Sequence, residues 1–159
     1  MKISAQEEYG LRCLVQLANL PEGDSLTLPQ IAEREGISTA NAGKLMWLLN
    51  KAGFVQSTRG TKGGYFLARP AGDIRLSEII KVLDEDVLTK HCESYTGVLD
   101  KCVHNGDCGI RPVIVGLHEI VENALSQISL AQLVGTERSV DAMFHKIQGI
   151  HKTLEPQRI

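Results

Sequence analysis

The chain has 159 residues, 43% of them hydrophobic and 23% charged, enough for one ordinary domain with a real core. Aromatics are only 4%, so that core must be aliphatic, and a net charge of −2 excludes a globally basic, histone-like binder. No apolar run reaches the roughly 18 residues of a membrane helix.

The start, Met1 to Glu8, lacks the apolar segment of a signal peptide, so a reducing cytoplasm is the expected compartment. Residues 5–19 carry Tyr9, Cys13, Val15, Leu17 and Ala18 at helical spacings and predict a first helix. Cys13 falls on that pattern and reads as a small core hydrophobe. After a loop at 19–24, Thr27-Leu28-Pro29-Gln30 has the form of a capping box, opening a helix that should run to about Glu35. Gly36 stops it. Ser38 caps another helix reaching about Ala52, with Gly53 past its end and Leu45, Leu48 and Leu49 on its buried face.

Two helices split by a tight glycine turn describe a helix-turn-helix. Phe54 to Ser57 and Tyr65 to Ala68 read as short strands around the basic, glycine-rich turn Thr58 to Gly64, which makes a β-hairpin wing. Leu76 to Leu83 predicts one more short helix. From Asp84 to Ile110 periodicity vanishes. Pro112 then restarts a helix whose stripe is Val113, Leu117, Ile120, Val121, Ala124 and Ile128, widened by Ile114 and Leu125. This is more apolar than a lone surface helix needs and reads as a dimer helix, with packing on the N-terminal domain as the alternative. Val140, Met143, Phe144 and Ile147 mark a final amphipathic helix over 136–150, and the last nine residues are expected to fray.

The expected fold is therefore mainly α with a small β wing. Residues 1–83 form a winged helix-turn-helix domain, 84–110 a cysteine-bearing loop, 111–134 a dimerisation helix region, and 135–159 a C-terminal helix and tail.

Charge is not spread evenly. Between Gly36 and Gly72 there is no Asp or Glu, while Lys44, Lys51, Arg59, Lys62 and Arg69 give +5, leaving −7 elsewhere. A cationic patch on an acidic protein suits an anion-binding face. The first turn of the recognition helix offers Ser38, Thr39, Asn41 and Lys44 to base edges and phosphates of a major groove. On the wing, Arg59 and Lys62 can reach a minor groove or phosphates. Thr61, Gly63 and Gly64 belong to the same surface, the glycines permitting close backbone approach. Double-stranded DNA is the expected partner.

Cys92, Cys102 and Cys108 form a Cys-x9-Cys-x5-Cys set in a polar loop. Disulfides are disfavoured by compartment. The paired short spacings of zinc sites are absent. Widely spaced thiolates suit an iron–sulfur cluster, with zinc or bare redox-sensing thiols as alternatives. The five histidines make no nucleophile–base arrangement, so no enzyme is expected.

These residues resemble the IscR/NsrR family of winged-helix transcription regulators. The resemblance rests on Met1-Lys2-Ile3-Ser4, on Leu28 to Leu49, and on the wing from Arg59 to Pro70. It continues through Leu76 to Ile80, the three cysteines, and Ile128 to Val134, covering roughly residues 1–134. It implies a homodimer that binds a 4Fe–4S or 2Fe–2S cluster and palindromic operators, sensing cluster supply, redox state or nitric oxide. Two departures stand out. The first cysteine gap is longer than in the best-known members, and Arg111 occupies the position where IscR-like members often place a histidine ligand. NsrR-like members instead use an acidic residue on the partner's first helix, a position that Glu8 fits. Glu35 matches a ligand region of two-iron relatives. The resemblance thus ranks Glu8 first as the fourth ligand; His104, two residues after Cys102, stands second, ahead of Glu35, His91 and Asp107. The alternative function is a regulator without a cluster, responsive to thiols, zinc or a metabolite.

Overall fold

The computed structural model describes residues 3–58, 63–83, 102–104 and 106–152, with side chains described as far as Lys146. Within them lie six α-helices and one two-stranded sheet.

Helix α1, Ala5–Ala18, opens on a reciprocal cap. The Glu7 N–H donates to Ser4 Oγ at 3.2 Å and the Ser4 N–H to Glu7 Oε2 at 2.7 Å. Gly10, Cys13, Leu14 and Leu17 form its buried face. A Cβ on Gly10 would stand 2.5 Å from Leu83 Cδ1, so a larger residue there would push the buried Leu83 side chain out of its place.

Helix α2, Leu28–Glu35, has the expected box at Thr27 and Gln30, with Pro29 in its first turn. Gly36 ends it at φ 64°, the left-handed backbone that glycine adopts without a steric cost. The Ile37 N–H then donates to the Ala32 carbonyl at 3.0 Å, closing the turn. Helix α3, Thr39–Lys51, follows at once, capped by Ser38 Oγ accepting from the Asn41 N–H.

Strands β1 (Val55–Ser57) and β2 (Tyr65–Leu67) pair antiparallel in the register Val55↔Leu67, Gln56↔Phe66, Ser57↔Tyr65. Leu26 adds a bridge to Tyr65 on the other side. A 3-10 turn at Ala71–Asp73 leads into helix α4, Leu76–Leu83, which buries Leu76, Ile79 and Leu83.

The core is aliphatic, as composition requires: Leu14, Ile31, Leu45, Met46, Leu49, Ile74, Ile79, Leu83 and Leu130 are essentially inaccessible. Phe54 is the one aromatic in it among the described residues. Each such side chain contributes roughly 1.5–3 kcal/mol of burial.

Helix α5, Arg111–Ser126, begins with Pro112 in its first turn. It stops two residues short of Ile128, which therefore leaves the expected stripe. The chain instead turns back along Ile74–Leu76. The Leu76 N–H donates to the Ile128 carbonyl at 2.9 Å and the Leu130 N–H to the Ile74 carbonyl at 2.8 Å. Ile128 and Leu130 enter the winged-helix core. A 3-10 turn at Leu130–Leu133, boxed by Ser129 and Gln132, precedes helix α6, Glu137–Lys152. Backbone hydrogen bonding, which periodicity does not report, decides that Ile128 belongs to the core.

Candidate nucleic-acid interface and cysteine loop

The helix-turn-helix presents its second helix outward. Ala42, Leu45, Met46 and Leu49 anchor one side of α3 in the core. Ser38, Thr39, Asn41 and Lys44 are all exposed on its first two turns. Ser38 spends its hydroxyl on the helix cap, while the Asn41 and Lys44 side chains face solvent. A backbone fixed at one end and polar groups free at the other make a usable reading head.

The wing is closed at its base by Thr58. Its N–H donates to the Gly64 carbonyl at 3.0 Å, and its Oγ1 accepts from the Gly64 N–H at 3.2 Å. Gly64 is buried, and a Cβ there would lie 2.8 Å from the Leu26 backbone. Packing against Leu26 is thus a sufficient reason for that glycine. Gly63 is half-buried beside it, and a cleft of about 330 Å³ lies between this base and Thr27, Leu28 and Pro29 of α2. Arg59, Gly60, Thr61 and Lys62, the tip, lie outside the described residues.

One cation of the acid-free stretch is already committed. Arg69 pairs with Glu78 of α4, donates to the Asp73 carbonyl at 2.9 Å, and lies 5.6 Å from the Phe54 ring centroid. The hydrogen bond from Arg69 holds the Glu78 carboxyl below the ordinary glutamate range. Arg69 therefore ties the wing strand to α4, and the sequence's +5 overstates the charge left for an anion. The partner lies outside the stretch, so counting within it could not reveal the pairing.

Cys102 and Cys108 are free, half-buried thiols just before α5. The Cys108 carbonyl accepts from the Arg111 N–H at 3.3 Å. Cys92 and His91 lie outside the described residues. His104 and Asp107 are exposed in the same loop. Among the described residues, no three of His, Cys, Asp and Glu converge as a metal site would require. Cys13 is fully buried. Burial, reinforced by the charge of Glu35, pushes its thiol up to about 12, so it stays protonated in the core. Glu35 accepts from Gln16 Nε2 at 2.6 Å. Glu8 is exposed on the first turn of α1 and pairs at 2.5 Å with Arg12.

Helix α5 joins these parts. Not one of its residues is buried, although Val113, Leu117 and Ile120 are 58% to 65% exposed on one line of the helix. Leu125, by contrast, packs on the core. Lys81 of α4 pairs with Glu122, whose carboxyl is held low by that hydrogen bond, and His118 Nε2 stands 3.7 Å from the same carboxylate.

Trp47 belongs to none of the motifs and stripes named above. It is exposed on α3, with the Lys51 ammonium 5.2 Å from its ring centroid. The available signal was its position three residues after Lys44, on the same face of the helix.

Residues 3–136 match the family described as Rrf2, iron-dependent transcriptional regulator. The chain is similar to the HTH-type transcriptional regulator IscR of Klebsiella pneumoniae, 30% identical over 141 residues, covering 89% of this chain and 84% of that one. Its counterpart from Cronobacter sakazakii is 28% identical over 157 residues, covering 99% and 94%. Among solved structures, T. potens IscR superposes with a TM-score of 0.64 at 27% identity, covering 99% and 94%. The oxidized form of Staphylococcus aureus CymR gives 0.66 at 26%, covering 86% and 98%. CymR of B. subtilis, described as a global cysteine regulator, gives 0.64 at 27%, covering 85% and 99%.

Proposed function

Because the chain belongs to the Rrf2 family of transcriptional regulators, we propose that it is a cytoplasmic, homodimeric repressor or activator whose operator binding is set by an iron–sulfur cluster. The observation that carries this reading is the position of α5. One end begins three residues after Cys108, whose carbonyl accepts from the Arg111 N–H; the other continues into Ile128 and Leu130 in the core of the DNA-binding domain.

The donor set fits. Thiolate sulfur is the ligand type of such clusters, and two of the three loop thiols, Cys102 and Cys108, are free and half-buried. Cys92, Cys102 and Cys108 would hold the group. Glu8 of a second copy would complete the set, since among the described residues that carboxylate pairs with the exposed Arg12 and freeing it costs little. A bound cluster, 4Fe–4S or 2Fe–2S, supplies bonds that oxidation or nitric oxide can break.

The chain's own part is mechanical. The Lys81–Glu122 pair and the two backbone hydrogen bonds at Ile128 and Leu130 fix α5 to α4. The Arg69–Glu78 pair fixes α4 to the wing. A shift at the cysteine end of α5 therefore has a continuous set of contacts through which to bias the wing and α3. Ser38, Thr39, Asn41 and Lys44 read one half-site of a palindrome. Arg59, Thr61, Lys62 and Gly63 supply the wing contact, with the buried Gly64 holding the base of the wing against Leu26 instead. The exposed Val113, Leu117 and Ile120 pair two copies, which matches two-fold operators to a two-fold protein.

Anaerobic purification tests the reading. Visible absorbance with bound iron and sulfide is expected. Cys92→Ala, Cys102→Ala and Cys108→Ala should each abolish it, Cys13→Ala should keep it, and Glu8→Ala should alter it without removing the cluster. The similarity to CymR favours a second reading, a cluster-free thiol regulator. Colourless protein whose DNA affinity follows thiol oxidation would select that reading, as would one zinc per protomer without sulfide.

A further inference from the structure

Trp47 is the chain's single tryptophan and is 59% exposed. Indole is a large apolar body with one N–H donor, and leaving it in water forfeits burial that most tryptophans obtain. Its place on α3 is specific. Ala42, Leu45, Met46 and Leu49 face the core, so the line opposite them runs through Ala40, Lys44, Trp47 and Lys51. Trp47 thus stands between two lysines on the most outward line of the recognition helix. The Lys51 ammonium lies 5.2 Å from the indole centroid, over the ring. No acidic residue occurs from Gly36 to Gly72, so this face is complementary to a polyanion.

Helix geometry sets what Trp47 can reach. It lies about 9 Å along the axis from Asn41, and Lys51 about 15 Å, while a major groove is about 12 Å wide. With the first turns of α3 on base edges, Trp47 and Lys51 arrive at the wall of the groove. We propose that Trp47 and Lys51 form a clamp on the sugar–phosphate backbone of duplex DNA. The indole face packs on deoxyribose, its Nε1–H donates to a phosphate oxygen, and Lys51 neutralises that phosphate. The clamp adds affinity without sequence preference. It rests on the reading of this chain as a DNA-binding regulator.

The test uses the full-length dimer and two duplexes of about 30 base pairs, one selected by the protein from a random pool and one unrelated. Trp47 is the sole tryptophan, so its emission reports its own surroundings. Emission should shift to the blue and acrylamide quenching should fall when either duplex binds. By anisotropy of labelled DNA, Trp47→Ala should weaken both duplexes about tenfold and Trp47→Phe, which keeps a ring but no donor, about threefold. Lys51→Ala should make the salt dependence shallower by about one unit of slope per protomer. Alanine suits an exposed helical site, and a circular dichroism melt checks that the fold is kept. Wild-type binding with unchanged emission and quenching would overturn the clamp. So would equal affinity of Trp47→Ala, or a loss confined to the selected duplex, which would make Trp47 a base reader. Failure of the wild type to bind either duplex would instead bring down the DNA-binding reading, and the clamp with it.

Discussion

α4 and α5 both carry apolar stripes at helical spacing, and they meet opposite environments. Leu76, Ile79 and Leu83 of α4 are buried against α1 and the helix-turn-helix, whereas α5 keeps Val113, Leu117 and Ile120 in solvent. α4 is eight residues long and packs against α1 and α3, so its apolar face has a partner within the chain. α5 is sixteen residues long and is held at its C-terminal end, by Leu125 and by the return of Ile128 and Leu130. A periodic stripe states that a helix needs a neighbour. It does not state whether that neighbour is in the same chain.

Substitutions can break this contrast. Ile79→Ala should cost about 2–5 kcal/mol of unfolding free energy in urea, because it empties a closed core site. Ile120→Ala should change the stability of the isolated protomer by no more than about 0.5 kcal/mol. Similar losses from the two would mean that α5 is buried within the chain after all.

The next largest effect concerns association. Leu117→Lys combined with Ile120→Lys should weaken the proposed dimer about 100-fold or more, read as monomer in sedimentation velocity at micromolar concentration. Leu125→Lys is the wrong probe despite its place in the sequence stripe, since it packs on the core and would unfold the protomer instead. A double variant that stays fully dimeric would place the interface elsewhere.

The joint between the two regions can be loosened more gently. Ser129 is buried and its hydroxyl and N–H both engage Gln132, the N–H at 2.8 Å. Ser129→Ala should cost about 1 kcal/mol and lower the melting temperature by a few degrees. A loss of coupling between cysteine chemistry and DNA affinity without loss of binding itself would mark this joint as the transmitting element.

The smallest effect is electrostatic. Glu78 is held below its ordinary range by Arg69 in the folded protein. A lowered folded value means that the pair's stabilisation is present above the ordinary glutamate value and is lost as pH falls through the lowered one. Both side chains are more than a third exposed, so the gain is under about 1 kcal/mol. Melts of wild type and Glu78→Gln should differ at about pH 7 and draw together as pH falls below the ordinary glutamate range. A constant difference across that range would deny the ion pair a role in joining the wing to α4.

Local chemistry made much of this molecule legible in its sequence. The boxes at Thr27–Gln30 and the cap at Ser38 act within one helical turn, and Gly36 answers a backbone demand of its own position. Such signals require no distant partner, which is why the helix-turn-helix, the wing strands and the buried Cys13 could all be placed from residues alone. The contact of Gly64 with Leu26 was not legible, because Leu26 lies 38 positions earlier in the chain.

What the tertiary structure decided are the long-range choices. It took Ile128 out of the α5 stripe and into the core, because its carbonyl accepts from Leu76. It removed Arg69 from the anion-binding face, because Glu78 is in reach of it. It left Trp47 in solvent on the line of Lys44, where composition gave no hint of an exposed aromatic. Sequence by itself determined which segments are helical, which face of each is apolar, and where thiols and cations are concentrated. The pairing of faces and charges depends on distances between residues far apart in the chain, and those are set only when the whole core closes.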